Sequence, residues 1–97
     1  MKTIEEYLID IIGYGDEAKV INFYRPHMIA VVSFVCRPGF CYEVIKFEDS
    51  DGLFISLESD IYDRELLPHG IYNGSYEDCM KLFNLYCSLP LKSPGTI

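Results

Sequence analysis

Residues 28–36 read MIAVVSFVC, an apolar run broken only by Ser33 and rich in β-branched side chains. A short, continuous run of this kind reads as a central strand. A chain that contains one must supply further strands to flank it, which already restricts the fold to a sheet with a cover. Candidates lie on both sides. Lys19 to Tyr24 reads as a first strand, and Arg25-Pro26-His27 as the corner that follows it. Cys41 to Phe47 and Leu53 to Ser59 alternate as two more strands, joined by the polar loop Glu48-Asp49-Ser50-Asp51-Gly52.

Helical signals lie at the two ends. Thr3 followed by Glu6 is a capping-box pattern, and Ile4, Tyr7, Leu8, Ile11 and Ile12 recur at helical spacing until Gly13 and Gly15 stop the run. Ser75 with Asp78 opens a second helix, with Cys79, Leu82, Phe83, Tyr86 and Cys87 as its apolar stripe and Pro90 at its end. Between the fourth strand and this helix, residues 60–73 read mostly as loop because of Pro68 and Gly70, with a turn of helix around Arg64. The expectation is one α+β domain over residues 1–92, in α-β-β-β-β-α order. It is a three- or four-stranded antiparallel meander with both helices packed on one face. Residues 93–97 form a loose tail.

The stretch CRPGFC, residues 36–41, sets a register. With Pro38 and Gly39 at the centre of the turn, Cys36 falls opposite Cys41, Phe34 opposite Glu43, Val32 opposite Ile45 and Ala30 opposite Phe47. Leu53, Ile55 and Leu57 join the same face if Phe47 pairs with Leu53. That face is apolar except for Glu43, and the helices are expected to cover it. The other face carries Ile29, Val31, Val35, Tyr42, Val44 and Phe54 among polar residues, and is more apolar than an idle solvated face. A Pro-Gly turn fits hairpin twist poorly, and a slip from this register separates Cys36 from Cys41.

The chain of 97 residues is long enough to bury a core without metal or disulfide support. Its net charge of −7 disfavours direct contact with nucleic acid or anionic lipid and favours basic partners. The N-terminus lacks an apolar stretch of the signal-peptide kind, and no window approaches the roughly 18 apolar residues of a membrane span. A cytoplasmic location is expected, and cysteines there are expected as thiols; Cys36 and Cys41 form either a thiol pair or, since their cross-strand placement brings them close enough, a disulfide.

Sites with built-in chemistry are weakly signalled. C-x4-C offers zinc two ligands of about four, and His27 stands at the far end of the strand from Cys36. Asp49, Ser50, Asp51, Gly52 and Glu58 match part of a calcium loop, but Phe47 stands where an Asp is needed and strands flank it. Gly13-Tyr14-Gly15 follows a helix, so it is a helix stop rather than a phosphate loop. His69 beside Cys36 or Cys41 is the one nucleophile–base combination, and nothing in the sequence places them together. No cofactor, metal or enzymatic activity is expected.

The clearest functional signal is charge. Residues 48–65 hold seven acids, Glu48, Asp49, Asp51, Glu58, Asp60, Asp63 and Glu65, against Arg64 alone, so this segment carries −6 of the chain's −7. Together with Tyr42, Phe54 and Tyr62 it reads as a docking surface for a basic protein, and Tyr72 stands in the adjoining segment. The expected function is a small acidic, stoichiometric inhibitor of a nuclease or nucleic-acid-binding effector. Two forms fit: a toxin-immunity protein, or a phage anti-defence protein of the anti-CRISPR kind. The alternative is a homodimer with a structural or ligand-binding role, paired through the open sheet face.

The order helix, strand meander, helix resembles two families in topology, the double-stranded-RNA-binding domain and the SH2 domain. The first implies a lysine-rich start to the second helix, where residues 75–81 are instead acidic; the second implies an arginine within residues 28–36, where there is none. Neither resemblance implies a function.

Overall fold

The computed structural model describes residues 3–15, 17–36, 39–49 and 65–90. The element order is α1 (Ile4–Ile12), β1 (Lys19–Tyr24), a 3-10 turn (Arg25–His27), β2 (Ile29–Cys36), β3 (Gly39–Asp49), β4 (Leu66–Gly74) and α2 (Tyr76–Cys87). The four strands form one antiparallel sheet in the order β1-β2-β3-β4. This is the α-β-β-β-β-α order read from the sequence. Both helices start as expected. Thr3 Oγ1 accepts from the Glu6 N–H at 3.1 Å and Ser75 Oγ from the Asp78 N–H at 3.2 Å. Gly13, at φ 79°, ends α1 in the left-handed conformation that glycine adopts without strain.

The helices lie on opposite faces of the sheet, which corrects the expectation of a single covered face. On one face α1 sets Leu8 against Ala30, Val32, Ile45 and Phe47, with Met28 and Leu66 completing the cluster. On the other, α2 sets Cys79 and Phe83 against Ile29, Val31 and Val44. Residues of β2 alternate between the two clusters, so its unbroken apolar run is the signature of a strand buried on both sides. On this second face α2 covers Ile29, Val31 and Val44, while Val35 and Phe40 at the hairpin end stay exposed.

Register explains the remaining differences. The β2–β3 hairpin pairs Phe34 with Cys41 and Cys36 with Gly39, two residues away from the expected alignment. A two-residue slip keeps every side chain on its face, so the inward set survives. It does not part the cysteines either. Cys36 and Cys41 become diagonal neighbours with Cα atoms 5.7 Å apart and are joined as a disulfide, one of the two states their placement allows.

In β1 a bulge between Val20 and Asn22 leaves Ile21 out of the ladder. Val20 and Phe23 can then both turn toward the α1 cluster although they stand three positions apart, an offset that regular alternation would send to opposite faces.

The segment read as loop is largely strand. Residues 66–74 form β4, with Phe47 opposite Pro68 rather than Leu53. Among the described residues β4 pairs with β3 alone, and proline suits such a strand because its missing N–H can face away from the ladder. At Gly70 the Glu43 carboxylate fills the space a Cβ would take, so a side chain there would make Glu43 move aside. The strand expected at 53–59, the helical turn at Arg64 and the tail at 93–97 lie outside the described residues. No helix among the described residues is long and apolar enough to cross a membrane.

Candidate protein-interaction surface

The far end of the β2–β3 hairpin, beyond both helices, has two differently finished faces. On the α1 side Phe34 is covered by the ring of Tyr14, 4.6 Å away between centroids, which reaches in from the α1–β1 connection. The Tyr14 hydroxyl donates to the Glu43 carboxylate on this inward face. That hydrogen bond, with burial and the carboxylate's charge, pushes the Tyr14 pKa up to about 12. The Cys36–Cys41 disulfide lies on the same side.

The α2 side of the same hairpin end is bare. Val35 and Phe40 are direct cross-strand partners, and they are 52% and 67% exposed. Next along β3 comes Tyr42, which packs against Tyr76, the first residue of α2, with ring centroids 5.5 Å apart. On β4, Tyr72 lies across Gly74, where a Cβ would come within 2.6 Å of its hydroxyl. Its hydroxyl approaches the Asp78 carboxylate at 3.5 Å, the outer limit of a hydrogen bond. The charge of Asp78 raises the Tyr72 pKa. Glu77 and Asp78 occupy the first turn of α2, where carboxylates complement the helix dipole. The result is a strip of Val35, Phe40, Tyr42, Tyr72 and Tyr76 edged by two carboxylates.

Behind this strip Cys79 is fully buried. Desolvation holds its thiol above the usual range, and it points weakly at the Gly74 carbonyl at 3.9 Å. Its surroundings are those of a buried packing residue. At the other end of α2, His27 Nε2 lies 2.8 Å from the Leu89 carbonyl, tying the helix exit to the β1–β2 corner.

Of the residues singled out from the sequence, Tyr42 and Tyr72 belong to this strip. Glu48 is exposed near the opposite end of β3, eight residues from Phe40 and hence roughly 27 Å along the strand. It faces His69 there at 3.4 Å. Asp49 closes β3, and Glu65 is exposed just before β4. Asp51, Phe54, Glu58, Asp60, Tyr62 and Asp63 lie outside the described residues. His69 pairs with Lys46 in the ladder, far from Cys36 and Cys41, so the nucleophile–base combination is not assembled. Among the described residues no three His, Cys, Asp or Glu side chains gather as a metal site. Val35, Phe40 and Tyr76 were not singled out. The signal available was a strand pair that outruns the helix placed over it.

Comparison of the chain with protein-family models, with curated proteins and with solved structures finds no match.

Proposed function

We propose that this protein is a small acidic protein-binding module whose contact surface is the Val35–Phe40–Tyr42–Tyr72–Tyr76 strip, and that its partner is basic. The observation that carries this reading is the directly paired, exposed Val35 and Phe40 beside three tyrosines. Aromatic side chains with one apolar body and one polar tip are enriched in interface cores, and a few of them supply most of the binding energy. Glu77 and Asp78 at the rim, with the net charge of −7, suit a cationic counterpart and would speed its approach. The finer reading is an inhibitor of a nuclease or nucleic-acid-binding effector, of the toxin-immunity or phage anti-defence kind. It rests on the same charge and on the acids of 48–65. In that version the strip supplies the anchors and the acidic segment stands where phosphates would.

The test is affinity capture under low and high salt with three baits: wild type, Phe40→Ser, and a variant with the acids of 48–65 neutralised. The proposal expects one basic protein recovered near one-to-one with wild type and lost with Phe40→Ser. Recovery unchanged by Phe40→Ser removes the strip from the interface. Recovery and salt dependence unchanged by neutralisation remove the phosphate-mimicry version. Homodimerisation is the second reading, now confined to the same strip because α2 covers the rest of that face. A monomeric mass at high concentration eliminates it. A cytoplasmic setting belongs to the proposal only with Cys36 and Cys41 reduced, since cytosolic thiol pools keep such pairs open; alkylation trapping in cells reads their state.

A further inference from the structure

The two edges of the sheet are not equivalent. On β4, Pro68 removes a backbone donor and a register shift at Val44/Ile45 distorts the ladder, both devices that discourage a further strand. The β1 edge contains no proline. Within the described sheet β1 pairs with β2 alone, so one side of its backbone faces outward. Lys19, Ile21 and Asn22 are exposed, Ile21 by 42%. One amide there is already occupied by a substitute: the Phe23 N–H donates to the Asn22 side-chain carbonyl at 3.0 Å. An asparagine oxygen in that place does what the carbonyl of a neighbouring strand would do.

A groove runs beside this edge, between β1 and α1. Its larger part has a volume of about 720 Å³, with Ile9, Ala18 and Val20 among its lining residues. A second hollow continues it past Ile4, Ile21 and Phe23, sharing Glu5 and Val20 with the first. Among the described residues, the charged side chains lining the larger part are Glu5, Glu6 and Asp10 against Lys19. That imbalance chooses the occupant. A second copy of this chain would bring the same carboxylates against themselves, whereas a cationic strand would meet them favourably.

We propose that the β1 edge accepts an extended, basic segment of a partner protein by strand addition, its alternate apolar side chains entering the α1–β1 groove and its cationic side chains meeting Glu5 and Glu6. Backbone pairing supplies affinity in this mode, and the groove supplies selectivity. The surface is separate from the aromatic strip and does not depend on it.

The probe is a capped peptide of alternating lysine and valine, the length of β1, titrated against the full chain with backbone amide hydrogen exchange followed residue by residue. Binding is expected to slow exchange at β1 amides and to weaken with salt. The same peptide N-methylated at alternate residues keeps its charge and loses its donors, and should bind at least about tenfold more weakly. Glu5→Lys with Glu6→Lys should abolish the salt dependence. Asn22→Val removes the competing acceptor, so it should tighten binding about two- to tenfold, a gain that a merely structural asparagine would not give. Phe40→Ser should leave all of this unchanged, so failure here and failure of the aromatic strip are read separately. Absence of binding, binding indifferent to N-methylation, or protection of β1 that appears without peptide as protein concentration rises would each overturn the proposal. The last outcome would assign the edge to a second copy.

Discussion

At the free end of the β2–β3 hairpin, one face is closed and the other is open, though both are built from the same two strands. On the α1 side, Tyr14 covers Phe34, its hydroxyl satisfies Glu43, and a disulfide links the strands. On the α2 side, Val35 and Phe40 meet each other and then solvent. The cause is reach. Twelve residues of α2 extend about 18 Å, whereas the eleven of β3 extend about 37 Å. The α1 side makes up its own shortfall with the Tyr14 connection, and the α2 side has no equivalent cover among the described residues. A face left open next to an equally available means of closing it is where a partner surface is best sought.

The sharpest way to break this comparison is to truncate one phenylalanine on each side. Phe47→Ala empties the centre of the α1 cluster and should cost about 3–5 kcal/mol in denaturant unfolding. Phe40→Ser should stay within about 0.5 kcal/mol of wild type, because the ring is already mostly in water. A large loss from Phe40→Ser would make it a structural residue and close the open face. The disulfide comes next. It spans only five residues of sequence, so the loop it closes is short, and opening it should cost about 2 kcal/mol. The unfolding midpoint with and without reductant reads this directly. Since the bond lies on the closed side, partner capture through Phe40 should survive reduction; loss of capture would show that the two faces are coupled. Ser75→Ala should cost about 1 kcal/mol by removing the α2 cap. It also frees the turn that holds Asp78 near Tyr72, so the Tyr72 phenol should titrate closer to its ordinary range.

Local rules located most of the architecture. The two caps, the two apolar stripes and the alternation in β2 and β3 are properties of a few neighbouring residues, and each emerges where such rules place it. The errors arise where a residue's meaning depends on a distant neighbour. Pro68 and Gly70 look like loop until one knows that they lie on a strand paired with β3 and that the Glu43 carboxylate approaches position 70. The hairpin slip is silent in the pattern because a shift of two changes no face. The stripe of α2, read alone, does not say which face it covers, so the sequence pattern puts both helices on the same side. Val31 and Val44 beside Val32 and Ile45 held that information, as two adjacent apolar layers in one strand pair. The interaction strip was the least legible part. Tyr42 stood out for being aromatic near acids, whereas Val35 and Phe40 are notable only once the span of α2 is known.

The finest test of the two faces is alkaline titration, because each carries one perturbed tyrosine with a different cause. Tyr14 is held up to about 12 chiefly by its hydrogen bond to Glu43, and Tyr72 is raised chiefly by the charge of Asp78. For Tyr14 the unfolded phenol loses its proton near pH 10 while the folded one keeps it. The folded state therefore binds more protons between about pH 10 and 12. Its contribution is present below that window and is lost as pH rises through it. Tyr14→Phe should accordingly flatten the alkaline limb of stability, by a small amount because the ring is partly exposed and screened. Phenolate absorbance in Tyr14→Phe and Tyr72→Phe, each at low and high salt, separates the causes. Salt should draw the Tyr72 titration back toward its ordinary value and move Tyr14 far less, since a hydrogen bond is not screened as an exposed charge is. Equal salt sensitivity of the two would mean that Tyr14 sits beside Glu43 without bonding to it, and the closed face would then lose its one polar lock.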